Sequence, residues 1–490
     1  MFSKILIANR GEVAVRVIRA CKEMGVETVA VFSTADKDAL HVALADEAYC
    51  IGGPRPHESY LNKEAILTVA LKSGAAAIHP GYGFLSENAD FVRACEEAGI
   101  AFIGPKSDTM ARMGDKLAAK QIAIGCGVPI VPGCTEPLRD GDEALEKAVS
   151  FGFPVILKAA GGGGGRGMRR CDTPEEVKPA FELVKSEAKK AFGNDDIFME
   201  KFLVEPKHIE VQVLGDEYGN VVHLFERDCS LQRRYQKVVE FTPAFSVPQE
   251  VREALYADAV KIAKYVGYVN AGTLEFLVDK EGHHYFIEMN PRIQVEHTVT
   301  EMVTGIDLVR SQILIAEGYP LNSPEINITS QEAIQCHGYA IQTRVTSEDP
   351  SNNFMPDTGK VSVYHSGSGN GIRLDGGNIY TGAEILPYYD SLLGKLIVYA
   401  GTREEALRKM KAALCELMAL DFAVDELGLY LTTHADDREA LELYWSYIAL
   451  AQEGRKRYQE TYGPILQTDT TPDGYRWLND PWPWDEGGNS

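Results

Sequence analysis

The stretch Glu288-Met-Asn-Pro-Arg-Ile-Gln-Val-Glu296 sets polar and apolar residues in strict alternation. If it is extended, Glu288, Asn290, Arg292, Gln294 and Glu296 project from one face, and Met289, Pro291, Ile293 and Val295 from the other. Alternation alone describes a half-buried strand with a wet outer face. The residues just upstream add a second meaning. Glu275 lies in GTLEFLV, and a turn at Asp279 to Gly282 leads back into HHYFIEMN, so the two runs read as a hairpin. A turn centred between Lys280 and Glu281 sets Glu275 opposite Phe286. Glu288 is then its diagonal neighbour on the same face, roughly 7–8 Å away between backbone positions. Two carboxylates with an adjacent Asn oxygen suit magnesium, which takes oxygen ligands and shares them with nucleotide phosphates. A slip of one residue would turn Glu288 to the opposite face, so the metal reading depends on this register.

Upstream, the run Gly161 to Gly165 continues as Arg166-Gly167-Met168 and follows the strand-like Pro154 to Lys158. Glycine permits positive φ and lets several N–H groups approach an anion, and Lys158 adds a point charge for phosphate. The other reading is a flexible surface linker. The run has neither the GxxxxGK[ST] order of a P-loop nor the acidic follow-up of a dinucleotide fold. The segment Glu226 to Lys237 (ERDCSLQRRYQK) packs Arg227, Arg233, Arg234 and Lys237 into twelve residues. It reads either as a solvated basic face or as a pocket for small anions. His79, His208 and His297 are isolated, as structural histidines usually are. No Ser-His-Asp order, GxSxG elbow or HExxH helix is present.

Toward the N-terminus, KILIA at Lys4 to Ala8 reads as a buried strand. A helix with Val13, Val17 and Cys21 on one face follows, then the strand TVAVF. Continued alternation through Ala76-Ala77-Ile78, HPGYGF and Ala101-Phe102-Ile103 predicts a parallel α/β domain. From about residue 204 the pattern changes to longer strands and hairpins. Leu407 to Leu420 and Glu439 to Leu450 look helical. The end is rich in Pro, Gly, Asp and Thr and holds Trp477, Trp482 and Trp484, so it either packs on the body or docks a partner.

The 490 residues suggest about three domains at roughly 150 residues each. The 49 basic and 71 acidic residues leave a net charge of -22, which argues against general nucleic-acid or anionic-membrane binding. No apolar run approaches a membrane span, and the first ten residues lack a signal-peptide pattern. The nine cysteines are scattered and never spaced as CxxC, which fits a reducing compartment. The expected location is cytoplasmic.

Taken together, these segments resemble the biotin carboxylase family of the ATP-grasp superfamily, from about residue 2 to about 415. The motifs are KILIANRGEVAVR, AIHPGYGFLSEN, FIGP, MGDK, KAAGGGGGRGM, MEKFL, HIEVQV, ERDCSLQRR, AGTLEF, EMNPRIQVEHTVTEM and PYYDSLLGKL. RVTSEDP, FMPDTGK and HTVTE look closer to the pyruvate carboxylase branch than to the acetyl-CoA branch. The resemblance implies an α/β ATP-grasp fold with an N-terminal parallel α/β domain (1–115), a connecting segment (116–130), a glycine-rich lid (131–203) and a C-terminal α+β domain (204–450), followed by the Trp-rich tail (451–490). It implies ATP with magnesium, or manganese in its place. Lys116, Lys158 and the lid glycines Gly163, Gly164 and Gly165 would contact phosphates. Glu200, Lys201 and Leu203 would form the adenine hinge, with His208 near the ribose. Glu275, Glu288 and Asn290 would bind the metal, and Lys237, Arg292, Gln294 and Val295 would hold bicarbonate. Glu296 would be the general base, and Arg344 would bind biotin and stabilise its enolate.

Two departures stand against the matches: Tyr235 replaces a His common in the family, and DFAVDE at Asp421 to Glu426 replaces a Gly-Val-x-Thr-Asn-like turn. There is no AMKM-type attachment site. The resemblance therefore implies a stand-alone, homodimeric subunit whose biotin is borne by a carrier protein or a biotinylated carboxyltransferase subunit. A purine-carboxylating or carbamoyl-phosphate-forming ATP-grasp ligase, or a non-catalytic nucleotide-binding paralogue, are the competing readings.

Overall fold

A computed structural model describes residues 2–417, apart from 135, 160–166, 193–194, 350–351, 362–363, 365–366 and 378. The chain divides into two units, one of Met1–Val361 and Ser368–Lys411, the other of Ser362–Gly367 and Ala412–Ser490. The helix expected over Glu439 to Leu450, the DFAVDE segment and the Trp-rich tail lie outside the described residues.

The N-terminal domain forms as its alternation predicts. Strands β1 (Lys4–Ile7), β2 (Glu27–Ser33), β3 (Glu47–Gly52), β4 (Ala77–His79) and β5 (Ala101–Phe102) make a parallel sheet in the order β3-β2-β1-β4-β5. Helix α1 (Gly11–Glu23) buries Val13, Val17 and Cys21 on one face. The order reverses between β1 and β4, and the turns after these two strands face the crevice where open α/β sheets place ligands. Asn9 joins the turns: its amide donates to the carbonyls of Pro80 at 2.6 Å and Tyr82 at 2.8 Å. Gly81 takes φ +63, and a Cβ there would lie 2.8 Å from that amide nitrogen, so glycine is needed on both counts.

Helix α2 (Lys116–Gly125) leads into the lid. Strands β6 (Val155–Ala159), β7 (Met168–Cys171) and β8 (Ile197–Lys201) form an antiparallel sheet in the order β7-β6-β8. It packs with helices α3 (Gly141–Phe151) and α4 (Pro174–Phe192) around Val155, Leu157, Phe181, Ile197 and Met199. The glycine run joins β6 to β7, and Gly163, Gly164 and Gly165 lie outside the described residues.

The body is one antiparallel sheet of eight strands. In chain order these are β9 (Lys207–Gly215), β10 (Val221–Arg233), β11 (Gln236–Thr242), β12 (Asn270–Val278), β13 (His284–Asn290), β14 (Tyr339–Thr346), β15 (Ile372–Gly376) and β16 (Leu392–Ala400). Across the sheet they run β13-β12-β9-β10-β11-β14-β16-β15. In β9, Ile209, Val211 and Val213 pack on helix α5 (Gln249–Tyr265) through Leu255, Ala259 and Ile262, so Glu210 and Gln212 must face the other way. That face is closed by helices α6 (His297–Thr304) and α7 (Leu308–Ala316) and by the N-terminal domain. Helix α8 (Arg403–Leu417) begins before the expected Leu407.

Two sequence expectations are corrected here. The hairpin turn centres on Glu281, because Val278 pairs with His284, and a bulge then leaves Ile287 without a partner. Glu275 therefore stands directly opposite Glu288, not opposite Phe286. The alternating stretch is also extended only to Asn290; Pro291 to Glu296 is a turn that runs into α6. A proline cannot donate to the ladder, and it ends the strand where the pattern would have continued it.

Gly215, at the end of β9, offers a test of this packing. A Cβ there would lie 2.2 Å from the Tyr268 carbonyl oxygen, which is backbone and cannot swing away. Gly215→Ala is expected to lower stability by about 1–3 kcal/mol, read as an earlier urea-unfolding midpoint. An unchanged midpoint would contradict the close approach.

Candidate active site

One face of the body sheet is polar, strand by strand. His208, Glu210 and Gln212 come from β9, Arg227 from β10, Lys237 and Glu240 from β11, Thr273 and Glu275 from β12, and Gln342 and Arg344 from β14. Glu288 and Asn290 end β13, and the following turn supplies Arg292, Gln294, Val295 and Glu296. Alternate residues of neighbouring strands meet on this face, an irregularity in the β10–β11 pairing brings Lys237 to it along with Glu240, and the turn folds over it.

Lys237 lies at the centre. Its ammonium donates to Glu296 Oε1 at 2.8 Å, Glu275 Oε1 at 2.9 Å and Glu210 Oε2 at 2.6 Å, one carboxylate for each proton. Burial alone would favour neutral lysine, but the three carboxylates outweigh it and hold its pKa well above the usual value. Arg227 is fully buried and uses all three nitrogens, donating to Glu210, Gln212, Thr273, Thr300 and Gln294. Arg344 donates through Nε to Glu240 Oε1 at 2.6 Å and through Nη2 to Glu296 Oε2 at 3.1 Å. Gln342 donates to the other Glu240 oxygen at 2.9 Å.

These partners set the proton affinities. Burial would raise the Glu296 carboxyl, but the charges of Lys237, Arg344 and Arg227 hold it far below the carboxylate range. Glu275 is likewise held low, against burial, by Lys237 and His208. Glu240 is the reverse case: burial pushes its pKa up to about 6, Arg344 opposes this, and the Glu296 charge adds to it.

Glu275 also accepts from His208 Nε2 at 2.8 Å, Asn290 Nδ2 at 2.9 Å and Gln294 Nε2 at 3.1 Å. Glu288 is more open, with Lys116 Nζ 3.2 Å from its Oε2. Arg292 donates to Asn290 Oδ1 at 3.2 Å and lies 3.3 Å from Glu87. On the lid side, Glu200 is clasped between Lys158 and Lys120. Lys201 turns away, donating to the carbonyls of Gly152 at 2.8 Å and Phe153 at 2.9 Å. Leu203 is half-buried just after β8. Tyr235, at the tip of the β10–β11 turn, has φ +67 and is 69% exposed, pointing out of the buried network.

The basic segment therefore divides. Arg227 and Lys237 turn inward, whereas Arg233 pairs with Glu348 and Arg234 with Asn353 at the turn. Glu210, Glu240, Gln342 and Lys120 were missed by the motif reading. The alternation in HIEVQV could have disclosed Glu210, since it shares a face with His208 and Gln212. In the turn, the N–H groups of Gln294, Val295 and Glu296 have no acceptor among the described residues. Adjacent free amides beside cations form a concavity suited to a small anion.

Three family models tile most of the chain: "Biotin carboxylase, N-terminal domain" over 1–110, "Carbamoyl-phosphate synthase L chain, ATP binding domain" over 115–324, and "Biotin carboxylase C-terminal domain" over 342–430. The biotin carboxylase domain of Hydrogenobacter thermophilus 2-oxoglutarate carboxylase, solved as a dimer with MgADP, ADP and bicarbonate, is 52% identical with a TM-score of 0.79. The match covers 85% of this chain and 90% of that one. The chain belongs to the biotin carboxylase family. It has the ATP-grasp fold of that family. A Campylobacter jejuni biotin carboxylase solved with a nucleotide is 48% identical (TM-score 0.79), covering 85% of this chain and 92% of that one.

Within the family, pyruvate carboxylase from Bacillus subtilis is 54% identical over 414 residues, and that from Caenorhabditis elegans 55% over 414. These matches place the chain in the pyruvate carboxylase branch and do not favour the other ATP-grasp ligases or the non-catalytic paralogue. They cover 84% of this chain but only 36% and 35% of those proteins, so the chain spans about a third of their length. Residues 411–485 match a different model, "CotJB protein", which takes in the DFAVDE departure and most of the Trp-rich tail. No described helix is long and apolar enough to cross a membrane, and the eight cysteines whose side chains are described are free.

Glu240 gives a pH test. Its folded pKa, about 6, lies above the ordinary 4.5, so the fold favours the protonated form. That contribution to stability is fully present below the unfolded pKa and is lost as pH rises through about 6. A carboxyl band titrating near pH 6 in difference infrared spectra is expected, and Glu240→Gln should remove it. A Glu240 that titrates in the ordinary range would contradict this account.

Proposed function

We propose that the chain carboxylates biotin on a carrier protein, using ATP and bicarbonate through carboxyphosphate, as the first half-reaction of a carboxylation. Pyruvate is the acceptor suggested by the branch; a partner bearing the carboxyltransferase would complete the reaction, and a homodimer is the proposed assembly. The observation that carries the proposal is the Lys237 ammonium held among three carboxylates. It touches Glu296 and Glu275 in one network with Gln294, whose amide is among the free ones of the turn.

Bicarbonate is a weak nucleophile until it loses its proton. Lys237, Arg292 and the amides of Gln294 and Val295 would hold it, and the Glu296 carboxylate would take the proton. A carboxylate held as low as Glu296 is a poor base while Lys237 and Arg344 stay paired with it. A bound bicarbonate draws on the same cations, and sharing them raises the proton affinity of Glu296 when the base is needed. The freed bicarbonate oxygen then attacks the terminal phosphorus and ADP departs. Lys116 and Lys158 would offset charge on the phosphates, and Lys158 must leave Glu200 to do so.

Glu275, Glu288 and Asn290 would hold magnesium. Their fit is supported by the directly opposed register of the two carboxylates and by the Asn290 contact to Glu275. When bound, the ion would offset charge on the transferring phosphoryl group. Carboxyphosphate separates into carbon dioxide and phosphate. The phosphate takes the ring N–H proton of biotin, and the resulting enolate is carboxylated at nitrogen. Arg344 stays charged throughout and can stabilise that enolate without giving up a proton. His208 at the ribose and Glu200, Lys201 and Leu203 at the adenine complete the proposed nucleotide site.

Protein supplied with magnesium, ATP, bicarbonate and free biotin should release ADP, and omission of bicarbonate should abolish most of it. Glu296→Gln keeps the side chain's shape but removes the base, and should slow turnover by about 10²–10⁴ with nucleotide affinity nearly unchanged. Arg344→Ala should lower biotin-dependent turnover by about 10²–10³. Equal ADP release without bicarbonate would refute the proposed reaction, and normal turnover in Glu296→Gln would remove Glu296 as the base.

A further inference from the structure

Beneath the candidate site lies a lysine that the proposed reaction does not use. Lys395, in β16, is fully buried. Its ammonium donates to the Val295 carbonyl at 2.9 Å, and lies 3.1 Å from Glu12 Oε1 and 4.0 Å from Asp375 Oδ2. Glu12 stands in the first turn of α1 and also accepts from the Tyr82 hydroxyl, in the turn after β4. A buried ammonium is costly unless it is paired, and Glu12 meets that need. Charge pairing alone gives no reason for the contact with the Val295 carbonyl.

Peptide geometry supplies one. In a trans peptide the C=O and N–H of one unit point in opposite directions. The Val295 carbonyl and the Glu296 amide belong to one unit, so a carbonyl held from behind turns the Glu296 N–H forward. The neighbouring unit is fixed in the same way: the Gln294 carbonyl lies 2.6 Å from His297 Nδ1, and the Val295 N–H has no acceptor among the described residues. Glu296 is also the residue before α6, so its backbone orientation sets where its carboxylate leaves the turn.

We infer that Lys395 is a positioning residue, which holds the Val295–Glu296 peptide so that its amide and the Glu296 carboxylate face Lys237 and the bicarbonate. Through Glu12 and Tyr82 it references that turn to the N-terminal domain. The inference rests on the bicarbonate reading above.

The test is Lys395→Met in the full chain, alone and combined with Glu12→Gln. The single variant leaves Glu12 without its cation and is expected to lose thermal stability. The double variant removes the orphaned charge and should regain stability, yet the Val295 carbonyl still has no donor. Both should show a KM for bicarbonate raised about 10- to 100-fold, with the Kd for ATP measured by calorimetry unchanged. An unchanged bicarbonate KM in the double variant would overturn the inference, because Lys395 would then serve only to neutralise Glu12. If the parent chain hydrolyses ATP without regard to bicarbonate, the functional reading fails first and takes this inference with it. Bicarbonate dependence in the parent with an unchanged double variant overturns the positioning role alone.

Discussion

The arrangement depends on one ammonium held among three carboxylates. Lys237 pairs with Glu210, Glu275 and Glu296 where little water can reach them, and each of those groups fixes something further. Glu210 anchors Arg227, Glu275 gathers His208, Asn290 and Gln294, and Glu296 shares Arg344 with Glu240. Four buried carboxylates against three cations, of which Arg227 is fully buried, leave no spare partner. Removal of one member strands a charge inside the protein, a loss larger than the intact pair is worth. The same closeness of balance makes the site responsive: an anion entering beside Lys237 competes with carboxylates already there.

The fold positions this network by strand alternation, and much of that was legible. The parallel N-terminal domain followed from short apolar strands separated by a helix with a clear buried face. The hairpin from Gly272 to Asn290 was legible as a hairpin, but its register was not. The bulge at Ile287 leaves no mark in the sequence, and it decides that Glu275 meets Glu288 across the pair. The alternation from Glu288 to Glu296 suggested one continuous polar face. The side chains do converge, but through a strand, a proline-ended turn and the start of a helix. Short-range periodicity reports which side chains want water or partners, and it does not report how the backbone brings them together.

Other parts escaped for a different reason. Glu240 sits between Val239 and Phe241 in a run that reads as ordinary buried strand, and Lys395 lies inside LLGKLIVYA. A single charged residue in an apolar run has no local explanation; its partner comes from another strand or domain. Lys120 is one turn beyond Lys116 on the same helix, and only the lid's Glu200 gives it a role. The basic segment showed the converse: of four cations close in sequence, Arg227 and Lys237 enter the network and Arg233 and Arg234 find partners at the turn. The C-terminal departure has a plainer cause, since a second family match begins at residue 411.

The central claim is that this network lets a bicarbonate oxygen attack the terminal phosphate of ATP. The most direct measurement follows that oxygen. With ¹⁸O-labelled bicarbonate in unlabelled water and rapid quenching, the inorganic phosphate released should carry one labelled oxygen, because the attacking atom remains on phosphorus when carboxyphosphate breaks down. Phosphate whose new oxygen comes from water would show that ATP is hydrolysed directly, and would contradict the account.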